Sequence, residues 1–153
     1  MTYLRRCVEL AAEALRAGDE PFGSVLVAAD GNILFEARNR VFSGDPTRHP
    51  EFEIARWAAV NMSAAARSAA SVYTSGEHCP MCAAAHGWAG LGRIVYISSA
   101  AQTAAWLAAL GVAAPPVRLL PLQDILPDLR VDGPVPALAE EVHELHRRRH
   151  RPS

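Results

Sequence analysis

The chain has no lysine. All 15 of its basic residues are arginine, set against 16 carboxylates for a formal net charge of −1. A balance so close to neutral supplies no overall basic field to draw in nucleic acid. With alanine abundant, the missing lysine marks a GC-rich coding sequence and not a site. Cysteine is scarce as well. Cys7, Cys79 and Cys82 are too few for a disulfide framework in 153 residues. No run approaches the roughly 18 apolar residues that a membrane span needs. Met1 to Arg6 holds no apolar stretch of secretory type. The expectation is a cytoplasmic protein with reduced thiols and no membrane partner. Half of the residues are hydrophobic and a fifth charged, a globular composition. The length fits one domain, 1–153, with room for a substantial core. No repeat and no long linker divides it.

What is present gathers in two short clusters. His49-Pro50-Glu51 is followed, 28 residues after Glu51, by Cys79-Pro80-Met81-Cys82. Zinc takes His nitrogen and Cys sulfur in a tetrahedral shell, and structural sites fill all four positions with protein. Here the donors stop at three, because Cys7 belongs to a separate N-terminal segment. Three ligands leave one position for water, which zinc makes a hydroxide source near neutral pH. Glu51 is the proton carrier placed beside it. A redox use of the CxxC is the competing reading, and it leaves His49 and Glu51 unexplained.

The hydrophobic pattern predicts a helix over 3–17, stopped at Gly18, then a strand over 24–28. Asp30-Gly31-Asn32 turns the chain into a second strand over 33–37. Helices are expected over 50–66, 80–89, 101–110 and 136–149, and strands over 71–75, 93–98 and 117–122. Pro50 and Pro80 suit first-turn positions, where a missing N–H costs nothing. Helices alternating with strands after a hairpin predict an α/β fold, a three-layer α/β/α sandwich around a mixed five-stranded sheet. Both clusters then open helices, whose N-termini favour thiolate over thiol.

His-x-Glu followed by Cys-x-x-Cys is the signature of zinc-dependent base deaminases, in which the Glu is general acid and base and not a ligand. From about Pro21 to Ile97 the chain resembles the cytidine-deaminase-like superfamily. It looks most like the bacterial guanine deaminase and nucleobase (nucleoside) deaminase branch. Pro21-Phe22-Gly23-Ser24-Val25, Asp45-Pro46-Thr47-Arg48-His49 and Ser75-Gly76-Glu77-His78-Cys79-Pro80-Met81-Cys82 carry the likeness. The resemblance implies His49, Cys79 and Cys82 as zinc ligands and Glu51 as proton shuttle. It implies Asn39 as a hydrogen-bonding partner of the base, Phe22 and Trp88 as aromatic residues near the base pocket, and a homodimer. Pro50 stands where the family usually has Ala, and His78 where it has Pro. The acidic-aromatic C-terminal region of guanine deaminases is not recognisable after Ile97.

The implied reaction is hydrolytic release of ammonia from an aminated base: guanine, cytosine, or a related aminopyrimidine or aminotriazine. Two alternatives stand beside it. One is a tRNA adenosine deaminase, which shares the zinc motif but usually has Val at the position of Phe22. The other is a catalytically silent, zinc-stabilised partner subunit, suggested only by Pro50 and His78. Outside the motif, His86 reads as a packing or interface residue and His78 as a neighbour of the ligands. His143, His146 and His150, among Arg147, Arg148 and Arg149, read as a solvated basic face. Cys7 reads as a small buried hydrophobe.

Overall fold

Strand β1 (Gly23–Val27) is buried along its whole length, so neither of its faces meets water. In the computed structural model, which describes residues 1–151, β1 pairs antiparallel with β2 (Ile33–Arg38) on one side. On the other it pairs antiparallel with β3 (Ser71–Gly76). β3 then pairs parallel with β4 (Ile94–Ser98), and β4 with the two-residue β5 (Val131–Asp132). The order β2-β1-β3-β4-β5 makes the expected mixed five-stranded sheet.

Side chains alternate across that sheet and recruit a different helix layer on each face. On one face α1 (Thr2–Arg16) and α7 (Pro136–His150) bring Leu4, Val8, Ala11, Leu138, Val142 and Leu145 onto Val95 and Ile97. On the other, α2 (Pro50–Asn61) packs Ile54, Ala55 and Ala58 against Leu26 and Val72, with Ala89 of α4 (Pro80–Ala89) and Leu91 just beyond that helix beside them. A Cβ on Gly23 would lie 2.5 Å from the Cys7 carbonyl oxygen, so only glycine lets α1 press this closely on β1. Among the described residues no helix is long and apolar enough to cross a membrane.

Two expectations are corrected. The helix expected over 50–66 is two helices. Met62 and Ser63 leave the helical path, and the Ser63 hydroxyl caps α3 (Ala64–Ala69) by accepting from the Ala66 N–H at 3.1 Å. The strand expected over 117–122 does not form. Pro115, Pro116 and Pro121 frame that stretch, and Val117, Leu119 and Leu120 stay exposed. A short helix α6 (Leu122–Ile125) follows, and the fifth strand comes later, at Val131–Asp132. α5 (Ala100–Ala109) keeps its predicted place, closed by a capping box of Ser99 and Gln102.

Candidate active site

Both clusters lie where the chain turns from extended backbone into a helix. His49 is the N-cap of α2 (φ −85°, ψ 144°) and Cys79 the N-cap of α4 (φ −68°, ψ 166°), each followed by proline. Proline keeps its predecessor extended and starts the helix without needing an N–H partner. The two helices pack together, so their N-termini converge. Asp45 shapes the approach to α2, its Oδ1 accepting from the Thr47 N–H at 2.9 Å and the Thr47 hydroxyl at 2.6 Å.

His49 Nδ1 lies 3.5 Å from Cys79 Sγ and 3.6 Å from Cys82 Sγ. All three donor atoms fall within 4.8 Å of one another. A tetrahedral zinc with Zn–S near 2.3 Å and Zn–N near 2.0 Å separates nitrogen from sulfur by about 3.5 Å. The observed edges match that figure, so these residues fit the ion. Cys79 is pushed down to about 4 by its hydrogen bond with Cys82, against the opposing effect of burial, with His49 adding to the fall. The same contact and burial push Cys82 up. A metal that takes both sulfurs as thiolates displaces the proton held there.

Glu51 stands one residue into α2 from Pro50 and is buried. Its Oε1 accepts a hydrogen bond from the Thr74 hydroxyl at 2.8 Å. Thr74 in turn accepts from the Ser24 hydroxyl at 2.8 Å, and its own proton also has the Gly76 carbonyl within 3.0 Å. Burial raises the pKa of Glu51, while His49 and the Thr74 bond oppose that rise. A carboxyl lifted toward neutrality beside a metal site is suited to both taking and giving a proton.

Asn39 is buried, and its Oδ1 accepts the Val41 N–H at 3.0 Å. That bond closes the turn after β2 and fixes the amide orientation, leaving the Nδ2 donor without a partner among the described residues. The Asn39 N–H donates to the Phe22 carbonyl at 3.0 Å. The Phe22 ring lies on Gly76, where a Cβ would stand 3.1 Å from Phe22 Cε1. Contacts thus link Asn39 to Phe22, Phe22 to Gly76, and Gly76 to the Thr74 hydroxyl that meets Glu51.

Trp88 is placed elsewhere. It is 93% exposed and lies six residues past Cys82, about 120° around the α4 axis. Within one chain it points to solvent.

Two residues that frame the site escaped the sequence reading. One is Thr74. The other is Glu77, whose Oε1 accepts the Ala100 N–H at 2.9 Å and whose Oε2 accepts the Leu122 N–H at 2.7 Å. One carboxylate thereby ties the starts of α5 and α6 to the loop that delivers Cys79. A signal for Glu77 existed in its position two residues before the CxxC, but a lone loop carboxylate carries no pattern of its own. His78 is wholly buried, T-shaped to His86 at 5.3 Å between ring centroids. His86 Nε2 lies 2.7 Å from the Gly92 carbonyl oxygen, in keeping with the expected packing role.

Comparison with known proteins gives this geometry its family. The model of the cytidine and deoxycytidylate deaminase zinc-binding region matches residues 1–98. The chain belongs to that deaminase family. Within the family its likeness is to the guanine deaminase branch, and the grouping of His49, Cys79 and Cys82 is consistent with the zinc that the family's region binds. Over 90 residues the chain is 44% identical to the guanine deaminase of Bacillus subtilis, covering 58% of this chain and 57% of that protein. Over 99 residues it is 33% identical to a probable cytosine deaminase of Schizosaccharomyces pombe, covering 63% of this chain and 58% of that one. Both matches span less than two thirds of the relative's own length. The structure of a guanine deaminase from Nitrosomonas europaea shares the fold, with a TM-score of 0.71 at 19% identity over 97% of this chain and 82% of that chain.

Proposed function

We propose that this protein is a zinc-dependent hydrolytic deaminase of an aminated nucleobase, guanine, cytosine or a related aminopyrimidine or aminotriazine. The observation that carries the reading is Glu51. It is buried on Thr74 in the first turn of the helix whose N-cap His49 stands 3.5 and 3.6 Å from two cysteine sulfurs.

His49, Cys79 and Cys82 hold the ion; when bound, zinc acts as a Lewis acid and lowers the pKa of a coordinated water to about 7. Glu51 takes a proton from the attacking water and passes it to a ring nitrogen, which makes the amine-bearing carbon electrophilic. It then carries a second proton to the leaving amine. Water adds its oxygen to the ring carbon, the carbon–nitrogen bond breaks, and ammonia departs. Asn39 presents its free Nδ2 donor to an acceptor on the base, and Phe22 lines one side of the pocket.

Residues 1–153 act as one deaminase domain in a reducing, cytoplasmic compartment, where all three cysteines stay free. The second subunit of a homodimer covers the outer face of α2 and α4. Val60 at 84% exposure and Trp88 at 93% stand near the C-terminal ends of this packed pair.

The test is ammonia release by the zinc-loaded protein from guanine, cytosine, adenine, their nucleosides and aminotriazines, with an adenosine-containing tRNA stem-loop as a separate arm. Ammonia from a free base is the expected result. Inosine in the stem-loop alone points to the tRNA reaction, and zinc with no turnover on any substrate points to a silent subunit. Glu51→Gln is expected to keep its zinc and lose about 10²- to 10⁴-fold in kcat. Turnover near the native level removes Glu51 from the proton path.

A further inference from the structure

The C-terminal helix carries a histidine that deamination does not use. His146 on α7 is wholly buried, and among the described residues neither ring nitrogen has a hydrogen-bond partner. Burial holds its pKa down to about 4, so the ring is neutral near pH 7. Two aromatic rings lie against it. Phe22 meets it in a T-shaped contact at 5.0 Å between ring centroids, and Trp106 lies tilted at 6.2 Å. Trp106 is stacked in turn on His143, at 4.3 Å and 9°. Further along α7, His150 Nε2 lies 2.9 Å from Glu20 Oε2, and the Glu20 carbonyl accepts the Phe22 N–H. α7 therefore grips residues 20–22 at two points, the aromatic ring and the carboxylate.

The remaining contacts of Phe22 face the site. Its ring rests on Gly76, three residues before Cys79, and its carbonyl holds the Asn39 N–H. Behind that ring, on the side of α7, stands His146. A buried polar ring with no polar partner is held in place by its packing alone. Its ring contact with Phe22 links α7 to the proposed wall of the site.

We propose that His146 is a positioning residue: it backs the Phe22 ring and thereby sets the wall against which a flat aminated base is accommodated. This rests on the reading of Phe22 as part of the base pocket. α7 then governs base affinity without touching the reacting atoms.

Steady-state kinetics on guanine and cytosine test the proposal with four zinc-loaded variants: His146→Ala, His146→Phe, Phe22→Ala and the double variant Phe22→Ala/His146→Ala. His146→Ala is expected to raise KM about tenfold with kcat changed less than about threefold, the signature of lost binding and not of lost chemistry. His146→Phe restores the packing and brings KM to within about twofold of the parent. The double variant is expected to be no worse in KM than Phe22→Ala, since both changes act through one ring. Effects that multiply in the double variant overturn the proposal. So does an equal loss of kcat on both bases at unchanged KM, which reports only less folded enzyme.

A second readout needs no turnover. Hydrogen exchange of the Asn39 amide is expected to run about tenfold faster in His146→Ala and to recover in His146→Phe. If the parent releases ammonia from no base, the deamination reading fails. Exchange at Asn39 then decides separately whether His146 holds Phe22.

Discussion

Thr74→Val is the most discriminating single substitution at this site. Valine matches threonine in shape and stays in the strand, so zinc content and fold are expected to survive. What disappears is the hydroxyl that donates to Glu51 at 2.8 Å. A hydrogen bond to a charged group is worth about 1.5–3 kcal/mol. Its loss shifts the ratio of ionised to protonated Glu51 by about 10- to 150-fold at a given pH. The direction follows from which form the bond favours. Thr74 stabilises the carboxylate, opposing the rise that burial causes. Without it, Glu51 holds its proton to higher pH, and the acid limb of the activity profile moves up.

The assay is kcat/KM for ammonia release across pH, on parent, Thr74→Val and Thr74→Ser, each with zinc measured. On the acid side Thr74→Val is expected to fall at least about tenfold below the parent, converging with it as pH rises and Glu51 ionises in both. Thr74→Ser restores the donor and the parent profile. A loss of the same size at every pH refutes the reasoning, because it means that Thr74 supports the strand and not the ionisation of Glu51. An unmoved acid limb refutes it equally.

Chelation of the metal is expected to abolish turnover and expose two thiols per chain, Cys79 and Cys82, to a thiol reagent. Cys7 stays protected by burial, and stoichiometric zinc reverses both effects. Glu77→Gln swaps one acceptor for a donor facing an N–H, and is expected to cost about 1–3 kcal/mol of stability, read by denaturant midpoint. Buried His86 and His146 both have pKa values pushed down to about 4, so the unfolded chain takes protons first as pH falls below about 6.5. Stability present at pH 7 is therefore lost toward pH 5, by about 2 kcal/mol for each ring. His146→Phe is expected to show a smaller difference between denaturation curves at the two pH values.

The two clusters that the structure brings together were legible because each is local, and a three-residue or four-residue spacing survives in any window of sequence. The central strands were legible for a similar reason. β1 and β4 are buried along their whole length, so their apolar runs are continuous. The missed features depend on distant partners. Val131–Asp132 is a strand only because β4 lies beside it, and two residues make no pattern. Residues 117–122 look like a strand locally but find no sheet edge. α7 misled through its Arg-rich end, which reads as a solvated face. Leu138, Val142, Leu145 and His146 nevertheless form one buried stripe at helical spacing, and that period placed His146 inside.

The two departures from the family motif bear on whether the site works. Pro50 replaces an alanine at the first position of α2, where the backbone N–H has no intrahelical partner to lose. His49 keeps the extended conformation that a following proline favours, and its Nδ1 remains at zinc-compatible distance from both sulfurs. His78 replaces a proline, yet Cys79 still caps α4 from extended backbone. Burial keeps the His78 ring neutral beside His86, so it brings no competing charge to the ligands. Neither change disturbs the donor set or the path from Thr74 to Glu51. The reading of a silent subunit rested on those two residues alone, and their local geometry takes that support away.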